Sequence, residues 1–206
     1  DRLHAKFLAS VAYRTPNIEI INSAVGGDPE SETTYSYELE LGYLLTDDLS
    51  IVGNLFFIKI EDPLIYDSNG GSFGYFNEKE VSTYGFESEL KYVKDWGSIN
   101  LGYSYYKQNS NSVEIYQSKD DDLFMGSPAH KLSANMTYNL NKNWSVNFNS
   151  ILTSERYAYH SGGDQRMSAE LIANANIHYE KDNLSISLGV YDMFNEKHEF
   201  AQPYAG

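Results

Sequence analysis

Hydrophobicity in this chain alternates residue by residue, in about nine segments of about 10 to 14 residues each. Leu3, Ala5, Phe7, Ala9, Val11 and Tyr13 are interleaved with His4, Lys6, Ser10 and Arg14. Tyr35, Tyr37, Leu39, Leu41, Tyr43 and Leu45 oppose Ser36, Glu38, Glu40 and Gly42. The period recurs at Tyr84–Tyr92, Ile99–Tyr105, Leu132–Leu140, Trp144–Leu152, Leu171–Tyr179 and Leu184–Val190. Leu49 to Ile60 is also read as a strand, but it is apolar on both faces and the pattern does not fix its register. A period of two addresses two faces with one strand, so the chain is all-β and each strand separates two different surroundings. Strands of globular proteins cluster near 5 or 6 residues, whereas about 9 to 11 tilted residues cross the hydrocarbon of a membrane.

The connections alternate as strictly as the residues. Thr46-Asp47-Asp48, Lys94-Asp95-Trp96-Gly97, Asn141-Lys142-Asn143 and Lys181-Asp182-Asn183 are tight polar turns. Between them lie long connections at Thr15–Thr33, Glu61–Val81, Gln108–Ala129 and Ala158–Ser168. Short turns at one rim and long loops at the other are the asymmetry of outer-membrane barrels. No run approaches the roughly 18 apolar residues of a membrane helix, which leaves spanning strands untouched.

Composition removes other classes. There is no cysteine, hence no disulfide scaffold, thiolate zinc site or thiol nucleophile. A net charge of −14 argues against a nucleic-acid partner, which would need clustered Lys and Arg. The traced apolar faces carry no charge, while the opposite faces of the later strands are Asn135, Thr137, Asn139, Ser145, Asn147, Asn149, Asn174, Asn176, His178, Ser185 and Ser187. A soluble barrel needs a charged exterior; uncharged hydrogen-bonding groups suit a wet lumen. Tyr13, Tyr35, Tyr43, Tyr84, Tyr92, Tyr105, Trp144 and Tyr179 lie near strand ends, where amphipathic rings favour the headgroup level.

Several motifs in order then resemble the barrel of the TonB-dependent outer-membrane receptors, over nearly the whole chain. They are Ala12-Tyr13-Arg14-Thr15-Pro16-Asn17 at a strand end, Asp28-Pro29-Glu30 leading to Tyr37–Tyr43, and Asn54–Asp62 followed by Phe76-Asn77 and Tyr84-Gly85-Phe86-Glu87. Pro128-Ala129-His130-Lys131 and Asp192-Met193-Phe194-Asn195 complete the set, and the family's last strand with its aromatic terminus is not among them. The resemblance implies an antiparallel up-and-down transmembrane β-barrel segment, about nine strands of a 22-stranded barrel, with residues 1–206 forming one partial barrel domain. It implies a Gram-negative outer membrane and import of a ferric siderophore, haem, cobalamin or similar nutrient. The implied partners are outer-membrane lipid, the plug and remaining strands of the receptor, TonB through a missing N-terminal part, and a small nutrient ligand. An odd number of strands with two bare edges cannot close, so the chain is expected to be a fragment. A passive porin or adhesin barrel and a soluble β-barrel carrier are the alternatives.

Catalytic chemistry is not indicated, and no cofactor or metal site is expected. Gly70-Gly71-Ser72-Phe73-Gly74 spells G-x-S-x-G but lies inside a long connection, without the strand and helix of a nucleophile elbow. Glu38 and Glu40, like Glu87 and Glu89, stand two apart on one strand face, a spacing open to acid/base work. The preferred reading is that these four face the lumen with Arg14 and Lys91 and pair with such cations or with the plug. Asp120, Asp121 and Asp122 read as a solvated loop tip rather than a cation site. Ligand contacts are expected from loop aromatic and polar groups: Tyr66, Tyr75, Phe76, Asn77, Tyr116, Tyr157, Tyr159 and His160. His160 could ligate haem iron or touch a siderophore, although an exposed loop histidine is the simpler reading.

Overall fold

A computed structural model describes residues 2–69, 71–120, 122–160 and 163–197, the side chains of Ser68, Asn69, His160 and Gly163 excepted. Nine antiparallel strands form one sheet: β1 (Leu3–Arg14), β2 (Glu32–Thr46), β3 (Leu49–Glu61), β6 (Glu80–Lys94), β7 (Gly97–Asn111), β8 (His130–Asn139), β9 (Trp144–Thr153), β12 (Glu170–Lys181) and β13 (Leu184–Val190), in that order. Neighbours in the sheet are neighbours in sequence apart from two hairpins inserted into the long connections. These are β4 (Leu64–Asn69) with β5 (Ser72–Asn77), and β10 (Arg156–His160) with β11 (Gly163–Met167). The first long connection carries a short helix, α1 (Ile18–Asn22), and the third a single 3-10 turn at Glu114–Tyr116. All four of the connections read from the sequence as unbroken loops therefore hold structure of their own. The sheet strands also run past their expected ends, β7 to Asn111 and β9 to Thr153.

The register keeps the two faces apart across the whole sheet. Leu3, Tyr43, Ile51, Leu90, Leu101, Ala134, Ser150 and Ala173 stand opposite one another in one row, and Phe7, Leu39, Leu55, Phe86, Tyr105 and His130 in another. A slip of one residue anywhere would turn a strand's apolar set to the other face. β3 is resolved in the same way: Ile51, Leu55 and Phe57 join the apolar face, while Val52, Asn54, Phe56, Ile58 and Ile60 join the polar one. Phe56 has room there because its partner is Gly85. A Cβ at Gly85 would lie 2.7 Å from the Phe56 ring and also strike the Tyr105 carbonyl.

Rings mark both borders of the apolar face. At the tight turns Tyr92 meets Trp96 at 6.0 Å, Trp96 meets Tyr138 at 5.8 Å, and Trp144 meets Tyr179 at 4.7 Å. Towards the long connections Phe86 meets Tyr103 at 5.4 Å and Tyr105 meets His130 at 5.0 Å. Tyr84 and Tyr92 bound β6 eight residues apart (92 minus 84), which at ~3.3 Å per residue and ~40° of tilt gives a band about 20 Å high, close to the outward apolar band of a membrane barrel. Charge appears on this face only beyond the rings: above them Lys59 binds Glu61 at 2.7 Å and Glu80 at 2.9 Å and Lys107 binds Asp122 at 2.8 Å, and below them stand Lys181 and Lys94, the latter paired with Asp48.

Among the described residues none covers the apolar face. Leu101 is 41 % exposed and Ile186 55 %, so the sealed interior of a soluble carrier is not what these side chains line. Of the buried apolar residues, Ile20, Leu64, Ile65, Val113, Leu123, Met125, Ala158 and Met167 belong to the long connections. Placing Arg at Leu101 should cost the protein about 2–4 kcal/mol of folding free energy in a bilayer, and Arg at the adjacent Asn100 near zero, as read by denaturant titration in liposomes.

Candidate functional site

The four long connections fold into one assembly above the polar face. Asn17 caps α1, its Oδ1 accepting from the Ile20 amide at 2.9 Å, and this buries Ile20. The chain beyond α1 lies along β5: the Val25 amide donates to the Tyr75 carbonyl and the Tyr75 amide to the Ser23 carbonyl, both at 2.9 Å. Asn77 is a latch between the first two connections. Its Oδ1 accepts from the Glu30 amide at 2.7 Å, and its Nδ2 donates to the carbonyls of Asp62 at 2.7 Å and Glu30 at 3.2 Å. Ile65, Val81 and Val113 form a cluster with Ile60, Phe76, Ile115, Tyr116 and Phe124, which joins the second connection to the third. The Gly126 amide donates to the Tyr157 carbonyl at 2.6 Å and Lys119 to the Asp164 carbonyl at 2.9 Å, which joins the third to the fourth. Because Ile60 and Val81 project from the polar face, the assembly leans over that face.

This arrangement sorts the ligand candidates. Tyr66 and Tyr75 are brought together, ring centroids 5.0 Å apart, on one side of the β4–β5 hairpin. Phe73 shares the parity of Tyr75 and is 71 % exposed; sequence reasoning missed it, although alternation within Ser72–Asn77 carries the signal. Phe76 and Tyr116 are instead packed into the loop cluster, where burial pushes the Tyr116 hydroxyl pKa up, and Asn77 spends its amide as the latch. Tyr157 and Tyr159 sit apart on β10, Tyr157 half-buried and Tyr159 exposed, while the His160 side chain lies outside the described residues. Asp121 lies outside them too, and Asp122 pairs with Lys107 rather than framing a cation site.

Below the loops the polar face is a wall with two characters. Lys6, Glu40, Asn54, Glu87, Ser104 and Lys131 stand opposite one another in a single row across six strands. Glu40, Asn54, Glu87, Ser104 and Lys131 of this row border a cavity of about 350 Å³ that Glu89, Gly102 and Ser133 also line. The expected partnerships with Arg14 and Lys91 are not formed. Arg14 faces Glu32 at 3.5 Å, directly across the β1–β2 ladder. Glu38 accepts from Ser36 at 3.3 Å and Asn54 at 3.5 Å, and Glu40 meets His4 at 3.3 Å. Among the described residues the side chains of Glu87, Glu89, Lys91, Lys131 and Lys6 make no hydrogen bond or ion pair within the wall. The Asn54 Oδ1 is buried without a donor, an acceptor that a group from the lumen would satisfy.

Beyond β7 the wall changes. Asn100, Asn135, Asn149 and Asn174 oppose one another in one row. Asn174 donates to Asn149 at 2.8 Å, Asn147 to Asn176 at 3.0 Å and Thr137 to Asn147 at 2.9 Å.

An apolar, ring-bordered face backed by a polar wall under a loop assembly defines a segment of a transmembrane β-barrel. Residues 3–193 match the family model described as TonB dependent receptor-like, beta-barrel, and the chain belongs to that family. Solved structures agree in fold. The ferric-catecholate import receptor Fiu from E. coli K12 superposes at a TM-score of 0.76 with 17% identity, over 95% of this chain and 29% of its own. The siderophore receptor PirA from Acinetobacter baumannii gives 0.75, 16%, 95% and 35%, and a variant of the ferric enterobactin receptor PfeA from Pseudomonas aeruginosa, bound to enterobactin, gives 0.77, 17%, 100% and 35%. The chain thus spans about a third of the length of the structures it matches. No curated protein sequence matches it. The family is one of receptors and transporters rather than enzymes.

Replacing Asn77 by Ala removes three hydrogen bonds at about 1 kcal/mol each. Amide exchange at Glu30 should then accelerate at least tenfold in the intact receptor, with exchange in β8 and β9 unchanged.

Proposed function

We propose that this chain forms wall and loops of an energy-coupled importer in the outer membrane of a Gram-negative bacterium. Its cargo would be a scarce nutrient such as a ferric siderophore, haem or cobalamin. The observation that carries this reading is the charge left unmatched on the polar wall. Glu87, Glu89 and the buried Asn54 oxygen face a cavity with no partner of their own among the described residues, next to Glu40. Glu87 and Glu89 stand exposed on that face with their bonding capacity unspent, and guanidinium or ammonium groups of a plug domain would meet them in charge-assisted hydrogen bonds. A passive porin offers no such occupant. The plug would be moved by TonB, reached through a part of the receptor beyond this chain.

Ligand would be met first by the loop assembly. Tyr66, Tyr75 and Phe73 present rings to solvent from a hairpin held by the cluster beneath it, and Tyr159 does the same from the other hairpin. Rings on a rigid support lose little conformational freedom on binding.

Cells lacking the intact gene should lose growth on one of three sole supplements, ferric siderophore, haem or cobalamin, and a protonophore should abolish the corresponding uptake. Uptake that persists without inner-membrane energy contradicts the reading. In the intact receptor the Tyr66→Ala, Phe73→Ala pair should weaken binding of that nutrient about tenfold, while Phe7→Ala on the lipid face leaves it unchanged. The double substitution Glu87→Gln, Glu89→Gln should loosen the plug and raise the cell's permeability to a large antibiotic several-fold.

A further inference from the structure

The two characters of the polar wall place opposite demands on whatever fills the lumen. The charges of Lys6 on β1 and of Glu87, Glu89 and Lys91 on β6 find no partner within the wall among the described residues, and neither does Lys131 on β8, which ends the row of Lys6 and Glu87. Anything seated there is held by charge-assisted hydrogen bonds, which are roughly twice as strong as neutral ones. Breaking such bonds costs more than breaking neutral ones, even where water takes the occupant's place.

Across the sheet the situation reverses. On the polar face between Lys131 and Asn139 of β8, along all of β9, and between Glu170 and His178 of β12, there is no charged side chain. The amides there bond to each other instead: Asn149 with Asn174, Asn147 with Asn176, and Thr137 with Asn147. Asn174 Oδ1 accepts a further bond from the Asp192 amide at 2.9 Å. With much of their capacity spent sideways, these groups bind an occupant weakly, and water replaces it at little loss because amides are readily hydrated.

We infer that the lumen opens against the amide wall of β8, β9 and β12: the plug of the same receptor stays seated on the charged wall, and the solute passes between the plug and the asparagines. The occupant is the receptor's own plug because the chain spans only about a third of its structural neighbours and the wall's unpaired charges are free to meet complementary groups in the lumen. The inference rests on the importer reading above.

The chain has no cysteine, so single thiols report locally. Asn135→Cys and Asn149→Cys place one on the amide wall, and Asn54→Cys and Ser104→Cys on the charged wall, in the intact receptor with any other cysteine replaced. Asn135 takes no part in the amide pairs above, so its variant leaves them intact if the Asn149 variant folds poorly. Cells are supplied with ferric enterobactin, haem and cobalamin together and treated with a neutral, water-soluble maleimide, with and without a protonophore. Energised cells should label positions 135 and 149 at least fivefold faster than de-energised cells, with less than a twofold change at 54 and 104. A larger rise on the charged wall, or equal rises on both, overturns this inference and leaves the importer reading standing. No energy-dependent change on either wall overturns both.

Discussion

Hydrocarbon offers a backbone amide no partner, so a strand that crosses it must pair along its whole length on both sides or lie at the end of what is described. Every other feature of this chain follows from that pairing. Once the nine strands of the sheet are laid side by side, the register decides which side chains share a row, and a period of two decides which rows meet lipid. The apolar rows run unbroken from Leu3 to Ala173 with only small polar interruptions, Ser88 and Ser150. The rings of Tyr92, Trp96, Tyr138, Trp144 and Tyr179 are amphipathic, so they fix the sheet's depth at one border.

The wall and the mouth are built by different physics. Strands carry almost no buried core, because lipid replaces protein on one side and the lumen lies on the other. The mouth is the reverse, a small globular assembly whose apolar centre is Ile65, Val81 and Val113 and whose seams are amide bonds such as those of Asn77 and Gly126. The wall thus holds a compact loop body over the lumen, with the rings of Tyr66 and Phe73 exposed on it and Tyr75 against Tyr66.

The strands were legible because alternation is a local signal that the membrane enforces at every step. β3 was legible as a strand but not in its register, and the reason is physical: its Phe56, Ile58 and Ile60 face inwards beneath the loops, where apolar residues are wanted on both sides. The β4–β5 and β10–β11 hairpins are too short to cross a membrane and so do not stand out from a loop by length. Ion pairing was misread because it depends on register across a long connection. Arg14 meets Glu32 only because β1 and β2 pair as they do, and nothing local in either segment selects Glu32 over Glu38 or Glu40. Phe76, Asn77 and Tyr116 look like exposed loop residues by composition, whereas the structure uses them as packing and latch.

The account stands on which medium touches each face of one central strand. Nitroxides introduced one at a time from position 99 to position 105 of β7, in the intact receptor in a bilayer, read this directly through their relaxation by lipid-dissolved oxygen and by a water-soluble nickel chelate. Oxygen should dominate at 99, 101, 103 and 105 and nickel at 100, 102 and 104. The opposite phase, or no alternation, would contradict the account.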